Sequence, residues 1–184
     1  MPPRPKTSRR PRRTTPPREA AARSRATVVV EIANRQKAVA IDRRWLRDVV
    51  RRAIAALGAR QAEIGLAIVD DADIAGLHDL WMGIPDPTDV ITFDLGGSDG
   101  TGLHGDIAVS AETARRVARR LGWQPRYELA YYVVHGLLHL AGEDDLDPTA
   151  RRKMRTRERE LMAAIGLPSP PRGRRPRPAP RGGR

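Results

Sequence analysis

The chain has 184 residues, no cysteine and a formal net charge of +12, with 34 Lys or Arg against 22 Asp or Glu. No apolar run reaches the roughly 20 residues that cross a bilayer, and the lack of cysteine excludes both a disulfide framework and thiolate metal ligands. The basicity belongs to the ends: removing the +8 of residues 1–25 and the +6 of residues 167–184 from the total leaves the middle near −2. Each end also carries six prolines and too little apolar surface to offset the entropy of ordering it, so 1–25 and 167–184 read as disordered basic tails. Such tails attract polyanions through counterion release. The basic N-terminus lacks the apolar stretch of a signal peptide, and a cysteine-free chain suits the cytoplasm.

Residues 26–166 have the length of one domain. Ala26–Ala33 is β-branched and predicts a strand. Arg43–Leu57 places Trp45, Leu46, Val49, Val50, Ala53, Ile54 and Leu57 at helical spacing, and Gly58 can end the helix. Glu63–Asp70 is apolar on both faces, as a covered central strand is. Asp71–Trp81 reads as a short helix with an acidic start. After Pro85 and Pro87 come a short strand, Val90–Phe93, a glycine-rich loop, Gly96–Gly102, and a strand, Gly105–Ser110. Ser110 can cap a helix over Ala111–Leu121, Pro125 opens the next helix toward Gly142, and Asp147-Pro148 starts a last one to about Ile165. The order β-α-β-α-β-β-α-α-α predicts a small α/β (α+β) domain, a four-stranded mixed sheet with five helices around it.

The segment His135-Gly-Leu-Leu-His139-Leu-Ala-Gly142-Glu-Asp-Asp145 carries the chemistry. Residues at i and i+4 share one helical face, so His135 and His139 can aim two imidazoles at one centre. Two uncompensated imidazoles in an apolar helix are costly, which favours a shared metal over two buried histidines. Gly142 lets the chain leave the helix and return, and a third ligand is then Asp145, with Asp144 or Glu143 as substitutes. Zn²⁺ is the expected ion for such a donor set. The peptidase signature H-E-x-x-H has its general base where this chain has Gly136, which disfavours the usual metalloprotease mechanism.

This segment resembles the H-G-x-L-H-L-x-G-x-D-H motif of the YbeY family of bacterial rRNA maturation factors. Pro87-Thr88-Asp89-Val90-Ile91-Thr92-Phe93 is similar to that family's P-T-D-V-L-S-F, and Leu103-His104-Gly105-Asp106-Ile107-Ala108-Val109-Ser110 to its L-G-D-I-x-I-S. The resemblance implies a metal-dependent, single-strand-specific endoribonuclease acting in 16S rRNA 3′-end maturation and ribosome quality control, with ribosomal RNA and the small ribosomal subunit as partners. The chain departs from the family twice. Asp145 stands where the family has a third histidine, and His78 and Met82 stand at the Asn and Arg of its N-x-x-[YF]-R stretch. The alternatives are a non-catalytic assembly factor with a structural metal and a metal-dependent hydrolase of another substrate.

Other residues have two readings each. Asp89 and Asp106 can accept hydrogen bonds from the ligand histidines, as carboxylates behind metal sites do, or cap loops. Arg115, Arg116, Arg119 and Arg120 form either a phosphate-binding ridge or an ordinary solvated helix face. His78 and His104 read as surface or loop residues, and Trp123, Tyr131 and Tyr132 as packing aromatics.

Overall fold

The computed structural model describes residues 27–96 and 102–171. The proposed tail 1–25, residues 172–184 of the proposed tail 167–184, and part of the glycine-rich loop lie outside them. Four strands, β1 (Thr27–Asn34), β2 (Gln61–Val69), β3 (Val90–Asp94) and β4 (Leu103–Ser110), form one sheet in the order β1-β2-β4-β3. β1, β2 and β4 run parallel, and β3 pairs antiparallel to β4 at the edge. The sheet is mixed and four-stranded, and five helices surround it: α1 (Arg43–Ala56), α2 (Asp71–Met82), α3 (Ala111–Leu121), α4 (Pro125–Leu140) and α5 (Pro148–Ala164). β2 and β4 each begin two residues before the apolar run that marks them. The parallel ladder that joins Ala62 to Leu103 and Glu63 to His104 extends both strands backwards, a long-range effect that hydropathy does not carry. Among the described residues no helix is long and apolar enough to cross a membrane.

Alternation along the strands divides the sheet into two faces. On one, Ala62, Ile64, Leu66, Ile68, Ile107 and Val109 join the main core with α1, α4 and α5. On the other, Ala67, Val69, Ile91 and Phe93 pack with Ile74 and Leu77 of α2 in a smaller cluster. Leu167, just past the predicted domain boundary, also packs against the main core.

α4 is the central helix. It contacts α1, α3, α5, β3 and β4, and Leu129, Ala130, Val133, Val134, Leu137 and Leu138 are fully buried. Burial of each Val or Leu side chain stabilises the fold by about 1.5–3 kcal/mol. Such a helix is apolar all round, so its sequence shows little amphipathic period. Gly136 lets it approach the sheet closely. A Cβ there would stand 2.9 Å from Ile107 Cγ2 and 3.1 Å from Thr92 Oγ1. The position at which a metallopeptidase carries its glutamate is thus used for helix–sheet contact, and a longer side chain there would have to displace the Ile107 and Thr92 side chains.

Candidate metal centre

The site is built at the C-terminal end of α4. Gly142, with φ of +85°, adopts the left-handed conformation that ends the helix. Its N–H donates to the His139 carbonyl at 2.9 Å and the Glu143 N–H to the Leu138 carbonyl at 3.0 Å, the paired bonds of a Schellman turn. This turn swings the Glu143 carbonyl beneath His139, whose Nδ1 lies 3.0 Å from it. Asp147 then caps α5, accepting from Thr149 N at 2.6 Å and Ala150 N at 3.0 Å. The loop is therefore fixed at both ends.

His135 and His139 meet at Nε2, 3.1 Å apart, and Asp145 Oδ1 lies 3.9 Å from His139 Nε2. One ligand atom from each of His135, His139 and Asp145 falls within 4.8 Å of the other two, so these three could hold a metal ion. The neighbouring acids are engaged elsewhere. Asp144 Oδ1 accepts from Leu146 N at 3.1 Å, and Glu143 pairs with Lys153 at 2.7 Å and Arg157 at 3.6 Å.

The protonation pattern tests whether this donor set fits a cation. A carbonyl only accepts, so His139 must carry its proton on Nδ1 to bond Glu143. His135 Nδ1 lies 2.6 Å from Glu158 Oε1, and the Tyr131 hydroxyl donates to the other oxygen of the same buried carboxylate. With both protons on Nδ1, two Nε2 lone pairs face one another and neither imidazole can donate to the other. A divalent ion between them would convert this repulsion into ligation, and Asp145 would supply the compensating negative charge. Burial first, and then the neighbouring His135, hold the His139 imidazole below its ordinary value, against the opposing pull of Asp145, the Glu143 carbonyl and Glu158. It therefore stays neutral, as a ligand must.

The ring-orienting carboxylate is Glu158, which the sequence reading passes over. Asp106 cannot take this part. Its Oδ1 projects over Gly65, where a Cβ would stand 2.1 Å away, on the α2 side of the sheet, whereas Gly105 meets Leu140 of α4 on the other. Asp89 accepts from Val90 N at 3.1 Å and Thr88 Oγ1 at 3.3 Å at the start of β3. Neither is the partner of a ligand-histidine Nδ1. One signal for Glu158 was available: it shares the buried stripe of α5 with Met154, Leu161, Met162 and Ile165, where an unpaired carboxylate would be costly.

The α3 arginines are drawn into local bonds. Arg115 Nη1 donates to the Ala38 carbonyl at 3.2 Å, and Arg116 Nη1 bonds Asp71 Oδ2 at 2.7 Å. Asp71 also accepts from the Ser110 and Thr113 hydroxyls, joining α2 to α3. Burial raises the Asp71 carboxyl, but the bonds from Ser110, Arg116 and Thr113 outweigh it and hold the group below its ordinary value. Arg119 and Arg120 are exposed. His78 Nδ1 lies 2.7 Å from the Asp86 carbonyl, His104 sits within β4, and Met82 ends α2 at 55% exposure.

A sequence profile of the family described as Endoribonuclease YbeY matches residues 31–166. The chain belongs to the YbeY family of endoribonucleases. It is 42% identical over 125 residues to an Endoribonuclease YbeY of Anaeromyxobacter sp. strain Fw109-5, across 67% of this chain and 65% of that protein. Against the Endoribonuclease YbeY of Pelotomaculum thermopropionicum identity is 35% over 148 residues, across 75% of this chain and 97% of the relative. The fold matches the solution structure of TM1509 from Thermotoga maritima with a TM-score of 0.53 at 21% identity, covering 76% of this chain and 89% of that one.

Proposed function

We propose that this chain is a metal-dependent, single-strand-specific endoribonuclease that works in the cytoplasm on 16S rRNA 3′-end maturation and ribosome quality control, in association with the small ribosomal subunit. The observation that carries the metal dependence is the meeting of His135 Nε2 and His139 Nε2 at 3.1 Å with Asp145 beside them. The ion we assign is Zn²⁺, bound by His135, His139 and Asp145, because two imidazoles and a carboxylate leave a tetrahedral position open. Bound there, it would polarise a phosphoryl oxygen and acidify water. Asp145 in place of a third imidazole lowers the charge of the site and makes that acidification weaker.

The chain's own residues hold and orient. Glu158 and the Glu143 carbonyl fix the two rings and keep Nε2 free of protons. Gly136 supplies no base, so the proton released by the attacking water or 2′-hydroxyl would pass to solvent. Asp89 and Asp106 would serve as loop and strand polar groups. Arg119 and Arg120 remain available as outlying RNA contacts, while Arg115 and Arg116 would reach phosphate only by leaving Ala38 and Asp71.

The test is cleavage of single-stranded RNA by purified protein, with metal content measured in parallel. His135→Ala and His139→Ala should each lose the ion and at least ~100-fold in cleavage. Activity that survives both substitutions would remove the site from the reaction. Met82 favours the second reading, a non-catalytic assembly factor, because it cannot hold a phosphate. On that reading chelation lowers the melting temperature, binding to small-subunit particles persists, and highly purified protein cuts nothing.

A further inference from the structure

α5 carries six cations, Arg151, Arg152, Lys153, Arg155, Arg157 and Arg159, against two acids, Glu158 and Glu160. Glu158 is buried on His135 and Tyr131, and Glu160 pairs with Arg157 at 3.0 Å. The cations divide into two sets. Arg151 Nη1 donates to the Asp145 and Leu146 carbonyls at 3.0 and 2.9 Å, and Lys153 and Arg157 grip Glu143, so these three clamp the metal loop onto α5. Arg152, Arg155 and Arg159 are exposed, and none pairs with a carboxylate among the described residues. At 100° per residue they fall within about 60° of one another, a single stripe roughly 10 Å long.

The arrangement costs the helix stability. The first turn of α5 contains no acid, and Arg151, Arg152 and Lys153 sit close to the positive end of the helix dipole. Arg151, Arg155 and Arg159 also stand at i, i+4 intervals, where like charges repel. A helix that served packing alone would gain from acids at these places. A polyanion lying along the stripe relieves both conflicts.

We propose that the stripe Arg152–Arg155–Arg159 is a phosphate track that seats a single RNA strand and leads it to the metal centre, resting on the ribonuclease reading above. A stacked strand advances roughly 3.4 Å per nucleotide, so the track faces about three phosphates. Its N-terminal end abuts the loop that carries Asp145, held there by Arg151. The track supplies near α5 the phosphate affinity that Met82 cannot supply at the end of α2.

The experiment measures binding of a labelled single-stranded oligoribonucleotide to the full, metal-loaded chain between about 50 and 300 mM salt. The comparison is with the triple variant Arg152→Gln, Arg155→Gln, Arg159→Gln and with a charge-matched triple on α1, Arg43→Gln, Arg44→Gln, Arg51→Gln. Metal content and melting are checked for all three proteins. The α5 variant should bind about tenfold more weakly at low salt and lose about 2 from the steepness of the log–log salt slope, near 0.7 per phosphate contact. The α1 variant should lose less than half as much. An α5 variant with the wild-type slope, or two variants with equal losses, overturns the track. Cleavage by the wild-type chain is scored separately. A chain that cuts RNA but binds it independently of α5 keeps the ribonuclease reading and loses the track; one that binds through α5 without cutting does the reverse.

Discussion

Two stretches of the molecule, the end of α4 with its loop and the end of α2, are in opposite condition. From His135 to Glu158 the metal-facing groups are held by a bond to the next: ring to carboxylate, ring to carbonyl, loop to α5. At the end of α2, Leu80, Trp81 and Met82 stand 75%, 64% and 55% exposed, with the Trp81 ring edge-on to Phe93 at 5.4 Å. On the proposed reading, ion binding and phosphate binding would be separable in this fold. The first would depend on short-range geometry within two helices and a turn. The second would depend on charge that can be supplied from another direction.

Glu158→Gln tests the well-held stretch with the largest effect. It keeps the shape but can present its amide to His135 Nδ1, and metal affinity should fall about 10–100-fold. A titration with a competing chelator measures this, and unchanged affinity would mean that Glu158 merely fills space. Met82→Arg probes the other stretch. If phosphate holding is what α2 lacks, kcat/KM for single-stranded RNA should rise about tenfold with metal affinity unchanged; no rise would show that the end of α2 lies outside the RNA path.

Gly136→Ala asks whether the helix that presents both histidines depends on its closeness to the sheet. The added methyl meets Ile107 and should destabilise the fold by about 1–3 kcal/mol in denaturant unfolding. A smaller effect is expected from acid. Protons compete with the ion for the histidine nitrogens, and His139 titrates below its ordinary value of 6.5. The ion should therefore be retained above that value and released only at lower pH. Metal content after equilibration from about pH 7.5 to 4.5 follows it. Release already complete above 6.5 would contradict a neutral, half-buried His139.

The parts legible in sequence were those set by local spacing. The i, i+4 histidine pair, the capping residues Ser110 and Asp147, and the glycines that end helices are all local, and they predicted the element order. What sequence left open was sorted by contacts over distance. Glu143, Asp144 and Asp145 are equivalent as a string, and the Schellman turn with the clamps from α5 separates them. Glu158 lies 23 residues beyond His135 in a charged run, so its partner is invisible until α5 packs on α4. The basic face of α3 looked free because Asp71, which binds Arg116, is 45 positions away.

The bond between His135 and Glu158 would also make a bound ion a participant in the placement of α5. The metal would join α4 to the loop, while Glu158 joins α4 to α5 and Arg151 returns from α5 to the loop, closing a ring of three contacts. Thermodynamic linkage then applies: if loading the ion raises RNA affinity by some factor, bound RNA must tighten the ion by that same factor. An enzyme of this design would guard its metal best while it is at work.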